Sequence, residues 1–249
     1  MNEARPRSGG RGRFRWMGGT KKTCRLTFQW KAGGGVKILL VAPDGLGVDA
    51  VSEVRRVQQF HDVASLYGTV TPDDIYRAMQ EKSFDVLHFA THGGPDGVLL
   101  SNGVLLDAET IAQLARLRET AGVFFSACQT GRLASYCVRH GTRWAISSEV
   151  DLSDADAWKL AAAFYSHQRN GNAEDFVGAF RLADDGDGDY ALHISLDWIA
   201  DLQRAAAAAA TIPHAAGVLT RREALAWSAG MTGATLLLIL LILRLAGVL

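Results

Sequence analysis

Two stretches of the sequence decide the fold: VLHFATHG at residues 86–93 and VFFSACQTG at residues 123–131. Each contains an apolar run long enough for a buried β-strand and then a reactive side chain followed closely by glycine. The reactive side chains are His92 and Cys128. Because chemistry in open α/β sheets lies beyond the carboxyl ends of the strands, we expect both side chains at one edge of a single sheet.

The surrounding residues 36–204 alternate short apolar runs with segments of helical spacing, which is typical of an α/β fold. Thr71-Pro72 and Ser153 are residue types that begin helices, and Asn102-Gly103 favours a tight hairpin turn. We therefore predict a three-layer α/β/α sandwich with a mainly parallel central sheet. The predicted strands are 36–41, 84–90, 123–127, 143–147 and 191–198, and the predicted helices are 49–63, 107–117, 131–140, 153–165, 173–182 and one that begins at Thr71.

The formal net charge of zero is the sum of three unlike segments. Residues 1–35 carry a net charge of +8, residues 36–204 carry −10, and residues 205–249 carry +2. The hydrophobic content of 48% excludes a wholly disordered chain, because disorder needs low hydrophobicity and high net charge. The three cysteines include no CxxC pair, which argues against a disulfide-stapled secreted module and against a zinc framework.

The first 35 residues combine Arg, Gly and Ser and end in three consecutive glycines. This composition predicts a mobile basic arm and linker, and the segment lacks the apolar run of a secretory signal. The arm is either a solvated tail, an over-extended start, or a contact with anionic lipid, where each basic residue contributes about 1 kcal/mol. Nucleic-acid binding, which would weaken steeply with salt, is the least favoured interpretation.

Residues 224–243 run for twenty positions without a charged side chain. As a helix rising about 1.5 Å per residue, this run spans about 30 Å, so we predict a single transmembrane helix rather than a buried core helix or an oligomer-forming hairpin. Arg221 and Arg222 precede the run and Arg244 follows it, which orients the globular domain toward the cytoplasm. The predicted organisation is a basic arm at 1–35, an α/β domain at 36–204, an alanine-rich linker at 205–223, and the transmembrane helix with the C-terminus at 224–249.

His92 and Cys128 are candidates for a Cys–His catalytic pair. A thiolate is the nucleophile in such a pair, and the imidazole promotes its formation and returns the proton to the leaving amine. The alternative is structural, with Cys128 as a small buried apolar side chain and His92 as a hydrogen-bonded loop residue. The position of both residues at strand ends, close to Gly93 and Gly131, favours the catalytic interpretation.

Three blocks occur in a fixed order: LHFATHGGPDGVLLSNGVLLDAETI, VFFSACQTG and WAISSEVDLSDADAWKLAAAFYSHQRNG. Over roughly residues 36–200 the chain resembles the CHAT domain, a branch of the caspase-like cysteine peptidases of clan CD. The resemblance implies a caspase–haemoglobinase fold and peptide-bond hydrolysis without a cofactor, with His92 as general acid and base and Cys128 as nucleophile. It also implies an oxyanion hole formed by the backbone N–H groups of Gly93 and Cys128.

In peptidases of this kind, three positions line the pocket for the residue before the cut. The matching positions here are Asp44, Ser126 and Glu149, with Asp151 close behind. Caspases that cut after aspartate need arginine at these positions, whereas this sequence has carboxylates, so we expect cleavage after Arg or Lys. Asp44 also fits a simple turn, since it lies in a Pro-Asp-Gly sequence.

Other constellations in the sequence are weaker. His88 and His92 are four residues apart but lie on a predicted strand without the glutamate of an HExxH motif, so we expect no metal. The acidic loop 184–189 lacks the acid that a calcium loop needs at its twelfth position, and Cys137 is predicted to pack on a helix. The absence of GxxxxGK[ST], GxGxxG and GxSxG motifs argues against nucleotide binding and serine-hydrolase chemistry.

The sequence therefore predicts a membrane-anchored cysteine endopeptidase of the CHAT type that cuts protein substrates through a thioester acyl-enzyme. The family often supplies effectors of bacterial defence or stress systems, and we expect such a role, with activation in trans by a partner protein or through clustering in the membrane. The alternative is a catalytically idle CHAT-like adaptor that recruits partners to the membrane. Absence of labelling by a thiol-reactive peptide electrophile would favour the adaptor.

Overall fold

The computed structural model describes residues 12–15, 24–29, 35–47, 49–168, 176–184, 186 and 189–211. By its internal contacts the chain divides into two units, residues 1–200 and residues 201–249. The described strands all belong to the first unit, as do the described helices apart from the end of the last one. Of the second unit, only that helix end, residues 201–211, is described.

The described strands and helices alternate along most of the chain. The strands are β1 (Gly12–Arg15), β2 (Arg25–Gln29), β3 (Lys37–Pro43), β4 (Asp62–Gly68), β5 (Val86–Ala90), β6 (Gly93–Gly94), β7 (Gly97–Leu99), β8 (Leu105–Leu106), β9 (Gly122–Ser126), β10 (Trp144–Ser148) and β11 (Tyr190–Ile194). The helices are α1 (Ala50–Val57), α2 (Pro72–Glu81), α3 (Ala108–Arg116), α4 (Gly131–Arg139), α5 (Asp154–His167), α6 (Phe176–Ala183) and α7 (Leu196–Thr211).

The main sheet has eight strands in the order β1-β2-β4-β3-β5-β9-β10-β11. The five central strands, from β4 to β10 in this order, run parallel to one another. The outer strands β2 and β11 join them in antiparallel orientation, as β1 joins β2. A second, three-stranded sheet consists of β6, β7 and β8. The mainly parallel α/β sheet predicted from the sequence is thus confirmed.

Side chains of the central strands alternate between two buried clusters, one on each face of the sheet. In β3, Leu39 and Val41 belong to the cluster formed with α2, α3 and α4, which we call the α4 face. Ile38, Leu40 and Ala42 belong to the cluster formed with α1, α5 and α6, which we call the α5 face. Helices therefore cover both faces of the sheet, as the predicted α/β/α layers require.

Two helices begin at the residues that the sequence indicates. At α2, the Thr71 N–H donates to Asp74 Oδ2 at 3.0 Å and the Asp74 N–H donates to Thr71 Oγ1 at 3.4 Å, which is a capping box, and Pro72 occupies the first turn. At α5, the Asp156 N–H donates to Ser153 Oγ at 3.2 Å. These bonds satisfy N–H groups that have no partner within the helix.

The N-terminal strands are the first difference from the expectations. Both β1 and β2 lie in the segment 1–35, for which the composition favours a mobile arm. Leu26 of β2 is buried and is the register partner of Leu66 of β4. A five-residue strand with one fully buried side chain gives too little apolar periodicity to stand out among basic residues.

Two further elements differ from the sequence-based expectation. The helix predicted to extend to residue 63 ends at Val57, and residues 62–68 form β4, where the buried Ser65 interrupts the apolar run. The last predicted strand ends at Ile194, and the chain then forms α7. This helix extends into the predicted linker because the linker begins with a run of alanine, the residue with the highest helix propensity.

The transmembrane helix predicted at 224–243 lies outside the described residues. Within the part of the chain that the structure describes, none of the helices combines the length and the apolar character needed to cross a bilayer.

Candidate active site

The two predicted reactive side chains follow neighbouring parallel strands, β5 and β9. Ala90 of β5 is the register partner of Ser126 of β9, and the Thr91 N–H donates to the Ser126 carbonyl at 3.3 Å. His92 and Cys128 each come two residues after this matched pair. The structure therefore brings His92 and Cys128 to the same edge of the sheet, as the sequence predicts.

Gly93 is in direct contact with the loop that carries Cys128. A Cβ atom at Gly93 would lie 2.8 Å from the Cys128 carbonyl oxygen, 2.8 Å from the Ala127 Cβ and 2.7 Å from the Thr130 Cγ2. These separations are shorter than the contacts a real Cβ atom makes, so the packing requires glycine here. The loops that follow β5 and β9 thus touch through their backbones.

The His92 imidazole is exposed and is oriented by one backbone carbonyl. Its Nε2 lies 2.7 Å from the carbonyl oxygen of Leu46, in the loop between β3 and α1. A carbonyl oxygen only accepts hydrogen bonds, so Nε2 carries a hydrogen and Nδ1 is the basic nitrogen of the neutral ring. The Leu46 carbonyl therefore fixes both the tautomer and the ring orientation of His92.

The Cys128 thiol is half-buried and contacts the segment between β10 and α5. The Leu152 N–H donates to Cys128 Sγ at 3.2 Å, and the Sγ lies 3.9 Å from the Leu152 carbonyl oxygen, which can accept from the S–H group. A single residue of this segment thus fixes the position of the candidate nucleophile.

Gln129, directly after Cys128, has a φ of 50°, which is uncommon for a residue other than glycine. Its N–H donates to the Val150 carbonyl at 3.2 Å, and its side-chain Nε2 donates to Asp151 Oδ1 at 2.9 Å. The segment that holds the thiol therefore also holds this strained turn, as is often found at functional sites. Sequence reasoning missed Gln129, because glutamine has no preference for positive φ that would mark it.

The amide N–H groups of Gly93 and Cys128 are not used by the neighbouring backbone. The Leu99 N–H donates to the His92 carbonyl at 2.8 Å, so Gly93 and its register partner Val98 form a pair that exchanges no hydrogen bond. Among the described residues, the Cys128 N–H donates to no backbone carbonyl. Neither N–H group is therefore committed to a backbone carbonyl, which leaves both available as donors.

Asp44 and Glu149, two of the predicted pocket residues, line different cavities. Asp44 lines a cavity of about 360 Å³ that also involves Arg25 and Tyr67, on the side of β3 that faces β4. Glu149 lines a cavity of about 560 Å³ that also involves Asp107 of the loop before α3. The structure does not bring these two carboxylates together.

The position of Glu149 follows from the alternation along β10. Ile146 and, by alternation, Ser148 are on the α5 face, so Glu149 continues the opposite, α4 face. Its carboxylate packs against Gly131, where a Cβ atom would overlap it, and its Oε1 lies 3.8 Å from His193 Nε2. Glu149 thus interacts with the positive N-terminal end of α4.

Ser126, the third predicted pocket residue, is buried at the end of β9, with 3% of its surface exposed. Phe124, two residues earlier on the same strand, belongs to the cluster on the α5 face. Because side chains alternate along a strand, Ser126 lies on that face as well. Within the described residues, its Oγ has no hydrogen-bond partner.

A buried polar cluster beneath the strand ends is a feature that sequence reasoning missed. His88 of β5 is fully buried, with Nε2 2.8 Å from Glu53 Oε1 and Nδ1 3.0 Å from the Tyr165 hydroxyl. Burial, reinforced by the charge of Glu53, raises the pKa of Tyr165 well above its usual range. The contributing residues come from β5, α1 and α5, so no local sequence motif marks the cluster.

The other two thiols are buried. Burial raises the pKa of Cys24 and of Cys137 to about 12, which leaves both almost entirely protonated and unreactive near neutral pH. Of the three cysteines, all of which the structure describes, Cys128 alone is partly exposed.

The metal-binding alternatives gain no support from the geometry. His88 points into the core and His92 contacts a carbonyl at the edge, so the two rings do not share a ligand position. Across the described ranges, no three His, Cys, Asp or Glu side chains are grouped to hold a metal ion. In the acidic loop 184–189, residues 185, 187 and 188 lie outside the described residues.

Comparison with known proteins gives one family match. The profile of the CHAT domain matches residues 48–179, just over half of the 249 residues. A search of curated protein sequences finds no match.

Among solved structures, 13 chains match. One is the crystal structure of the Arg-specific cysteine proteinase gingipain R (RgpB), at 15% identity and a TM-score of 0.45, covering 61% of this chain and 43% of the other. Another is the complex of the pro- and mature domains of RgpB from Porphyromonas gingivalis, at 15% identity and a TM-score of 0.41, covering 61% and 44%. The chain spans less than half the length of either protein.

Proposed function

The chain belongs to the CHAT domain family, and we propose that it is a cysteine endopeptidase in which Cys128 is the nucleophile and His92 transfers the protons. The observation that carries this proposal is the matched register of β5 and β9, after which His92 and Cys128 follow at the same distance. The contact between Gly93 and the Cys128 backbone adds to it.

In the acylation step, Cys128 gives its thiol proton to His92 Nδ1, and the sulfur attacks the carbonyl carbon of the scissile peptide bond. The carbonyl oxygen becomes an oxyanion and accepts hydrogen bonds from the N–H groups of Gly93 and Cys128, each contributing about 3–4 kcal/mol. The C–N bond then breaks, and His92 returns the proton to the leaving amine. A thioester between Cys128 and the acyl fragment remains.

In the deacylation step, a water molecule gives a proton to His92 Nδ1 and attacks the thioester carbon. The C–S bond breaks, the carboxylic acid leaves, and the proton returns to the Cys128 sulfur. The Leu46 carbonyl keeps accepting from Nε2–H in both steps, so the same nitrogen handles every transferred proton and stays correctly oriented.

Replacing each member of the pair in the full-length chain tests the mechanism. We expect Cys128→Ala and His92→Ala each to reduce cleavage of an unstructured protein substrate by about 10³-fold or more, because the nucleophile or its base is lost. Fragments are counted by mass spectrometry. His140→Ala is the matched control, since His140 lies at the far end of α4 and contacts Tyr136.

Alkylation of the native protein by iodoacetamide separates loss of chemistry from loss of fold. Cys128 should be labelled before Cys24 and Cys137, which should react only after unfolding. Undiminished cleavage by purified Cys128→Ala protein would contradict the peptidase mechanism.

We further propose that the substrates are proteins cut after a basic residue and that residues 224–243 tether the enzyme to a membrane. The first point is supported by the negative charge of residues 36–204, and the second by the uncharged run of twenty residues. The proposal also includes activation by a partner protein and a role in bacterial defence. Both rest on the roles that members of the CHAT family often have.

A further inference from the structure

At the proposed active edge, four of the five central strands, β3, β5, β9 and β10, carry short side chains on the α5 face. Ala42 of β3 and Ala90 of β5 belong to the cluster on that face. Ser126 of β9 and Ser148 of β10 follow by strand alternation. No bulky side chain from these four strand positions covers the sheet beside Cys128.

Two buried hydroxyl groups at this place have no hydrogen-bond partner within the described residues, Ser126 Oγ and Tyr190 Oη. Tyr190 begins β11 and is the register partner of Ser148. Burial raises the pKa of Tyr190, and the charges of Glu53, Asp156, Asp189 and Cys128, in that order, add to this effect. Buried polar atoms are nearly always paired, so two unpaired hydroxyl groups on this face, at the same end of the sheet, indicate a position that a polar ligand fills.

Glu53 supplies a negative charge to the same region. It lies in the first turn of α1, its side chain is only 4% exposed, and Oε1 is 2.8 Å from His88 Nε2. His88 is itself held by stacking on Phe124, with ring centroids 4.7 Å apart. An ionised carboxylate has about four acceptor positions. Within the described residues, no Lys or Arg forms a salt bridge with Glu53, so it retains acceptor capacity for a cation.

We propose that Glu53 is the specificity-determining residue of the proposed peptidase, binding the guanidinium group of an arginine on the amino side of the cut. Ser126 Oγ and Tyr190 Oη accept further N–H groups from the same guanidinium. Arginine fits better than lysine, because five N–H donors in a planar fork can reach several acceptors at once. His88 is a positioning residue that holds the carboxylate in place.

This inference rests on the proposed function but assigns recognition of the basic substrate residue to a different carboxylate. Asp44 and Glu149, the carboxylates indicated by the family resemblance, line two other cavities. Glu53 comes from α1 and becomes relevant only because the helix lies over the α5 face of the sheet.

The test measures binding apart from catalysis. Full-length Cys128→Ala protein is titrated by calorimetry with two blocked peptides that differ only in arginine or its uncharged isostere citrulline at the residue before the cut. We expect the arginine peptide to bind about 50-fold more tightly, because a charged hydrogen-bonded contact is lost with citrulline. Adding Glu53→Gln should remove most of this preference, whereas the matched control Glu81→Gln, an exposed glutamate at the end of α2, should keep it.

Three other results would each overturn the proposed role of Glu53. Equal affinity for both peptides would overturn the proposal and would mean that water alone fills the position; this comparison needs no variant of Glu53, so it holds even where Glu53→Gln fails to fold. A preference that survives Glu53→Gln, or that Asp44→Asn or Glu149→Gln removes instead, would also overturn it.

The proposed function fails separately from this inference. Cleavage that depends on Cys128 but follows a non-basic residue contradicts only the role of Glu53. Tight arginine-peptide binding without any cleavage by the wild-type protein supports the Glu53 site and contradicts the peptidase.

Discussion

The carbonyl oxygen of Leu46 acts on the candidate active site without any side-chain chemistry. By accepting from His92 Nε2–H at 2.7 Å it leaves Nδ1 as the basic nitrogen. A side chain at this position could be replaced by mutation, whereas a backbone carbonyl cannot, so the residue type of Leu46 carries no information about its role. The sequence therefore identifies His92 as a candidate but does not identify Leu46, the residue that orients it.

Gly93 provides a test at the scale of one residue. We expect Gly93→Ala to lower kcat/KM by about 10²-fold, because its Cβ would displace the Cys128 loop and misplacement of reacting groups by about 1 Å costs that much. The measurement is peptide hydrolysis, with the unfolding midpoint in urea as a check on stability.

Gly94→Ala is the matched control for this test. A Cβ atom at Gly94 would have no heavy atom within 4 Å, so its activity should remain close to that of the wild type. Equal activity of the two variants would show that the contact between Gly93 and the Cys128 loop has no part in catalysis.

At the scale of elements, the capping box at α2 gives a prediction about stability. We expect Thr71→Ala to lower the free energy of unfolding by about 1 kcal/mol, because the N–H of Asp74 loses its acceptor and the reciprocal bonds from Thr71 are disturbed. Urea unfolding followed by circular dichroism measures the change.

Thr110→Ala serves for comparison, since Thr110 lies in the first turn of α3 and its backbone N–H, bound by Asp107, remains. It should be neutral or slightly stabilising, given the higher helix propensity of alanine. A loss of stability as large as that of Thr71→Ala would mean that the threonine side chain, and not the cap, accounts for the effect.

The elements that carry the site could largely be predicted from the sequence. Strands β3, β5, β9 and β10 are buried on both faces and mostly apolar, so each stands out as a short apolar run. β2 and β4 do not stand out, because one has a single buried apolar residue and the other a buried serine.

The carboxylates considered for the proposed substrate pocket are harder to predict, because a shift of one residue along a strand moves a side chain to the other face of the sheet. Glu149 directly follows Ser148, yet it packs on the α4 face against Gly131. Glu53 is on a helix, and its approach to His88 depends on how α1 packs across the sheet. The spacing of residues along the chain predicts neither the face on which Glu149 packs nor the contact between Glu53 and His88.

At the scale of the whole molecule, the segment charges of +8, −10 and +2 acquire a partial structural meaning. The negative segment contains the central parallel strands and both proposed catalytic residues, while β1 and β2 come from the positive segment and join the same sheet. The basic segment is therefore partly a component of the fold and not solely an arm.

The proposed membrane tether is tested on the full-length chain. We expect the protein to remain with membranes after alkaline carbonate extraction, and Leu236→Lys with Leu237→Lys to release it, because each charge near the middle of a span costs about 2.5–3.5 kcal/mol. Immunoblots of the pellet and the supernatant give the distribution.

A basic arm that binds anionic lipid would behave differently. Its contacts are electrostatic, so carbonate and salt would extract the protein while both leucines are intact. Arg5→Gln with Arg7→Gln is the comparison variant, expected to leave carbonate resistance unchanged. Release of the unaltered chain by carbonate would contradict the tether.

The pairing of β5 with β9 also sets the earliest time at which the proposed activity can begin. These strands are neighbours in space, but a helix, a small sheet and several loops separate them along the chain. Parallel pairing across such a distance requires the intervening chain to close into a loop before the two strands make contact. On a ribosome, His92 emerges well before Cys128, so a nascent chain has no assembled site with which to cut itself or its neighbours until β9 docks.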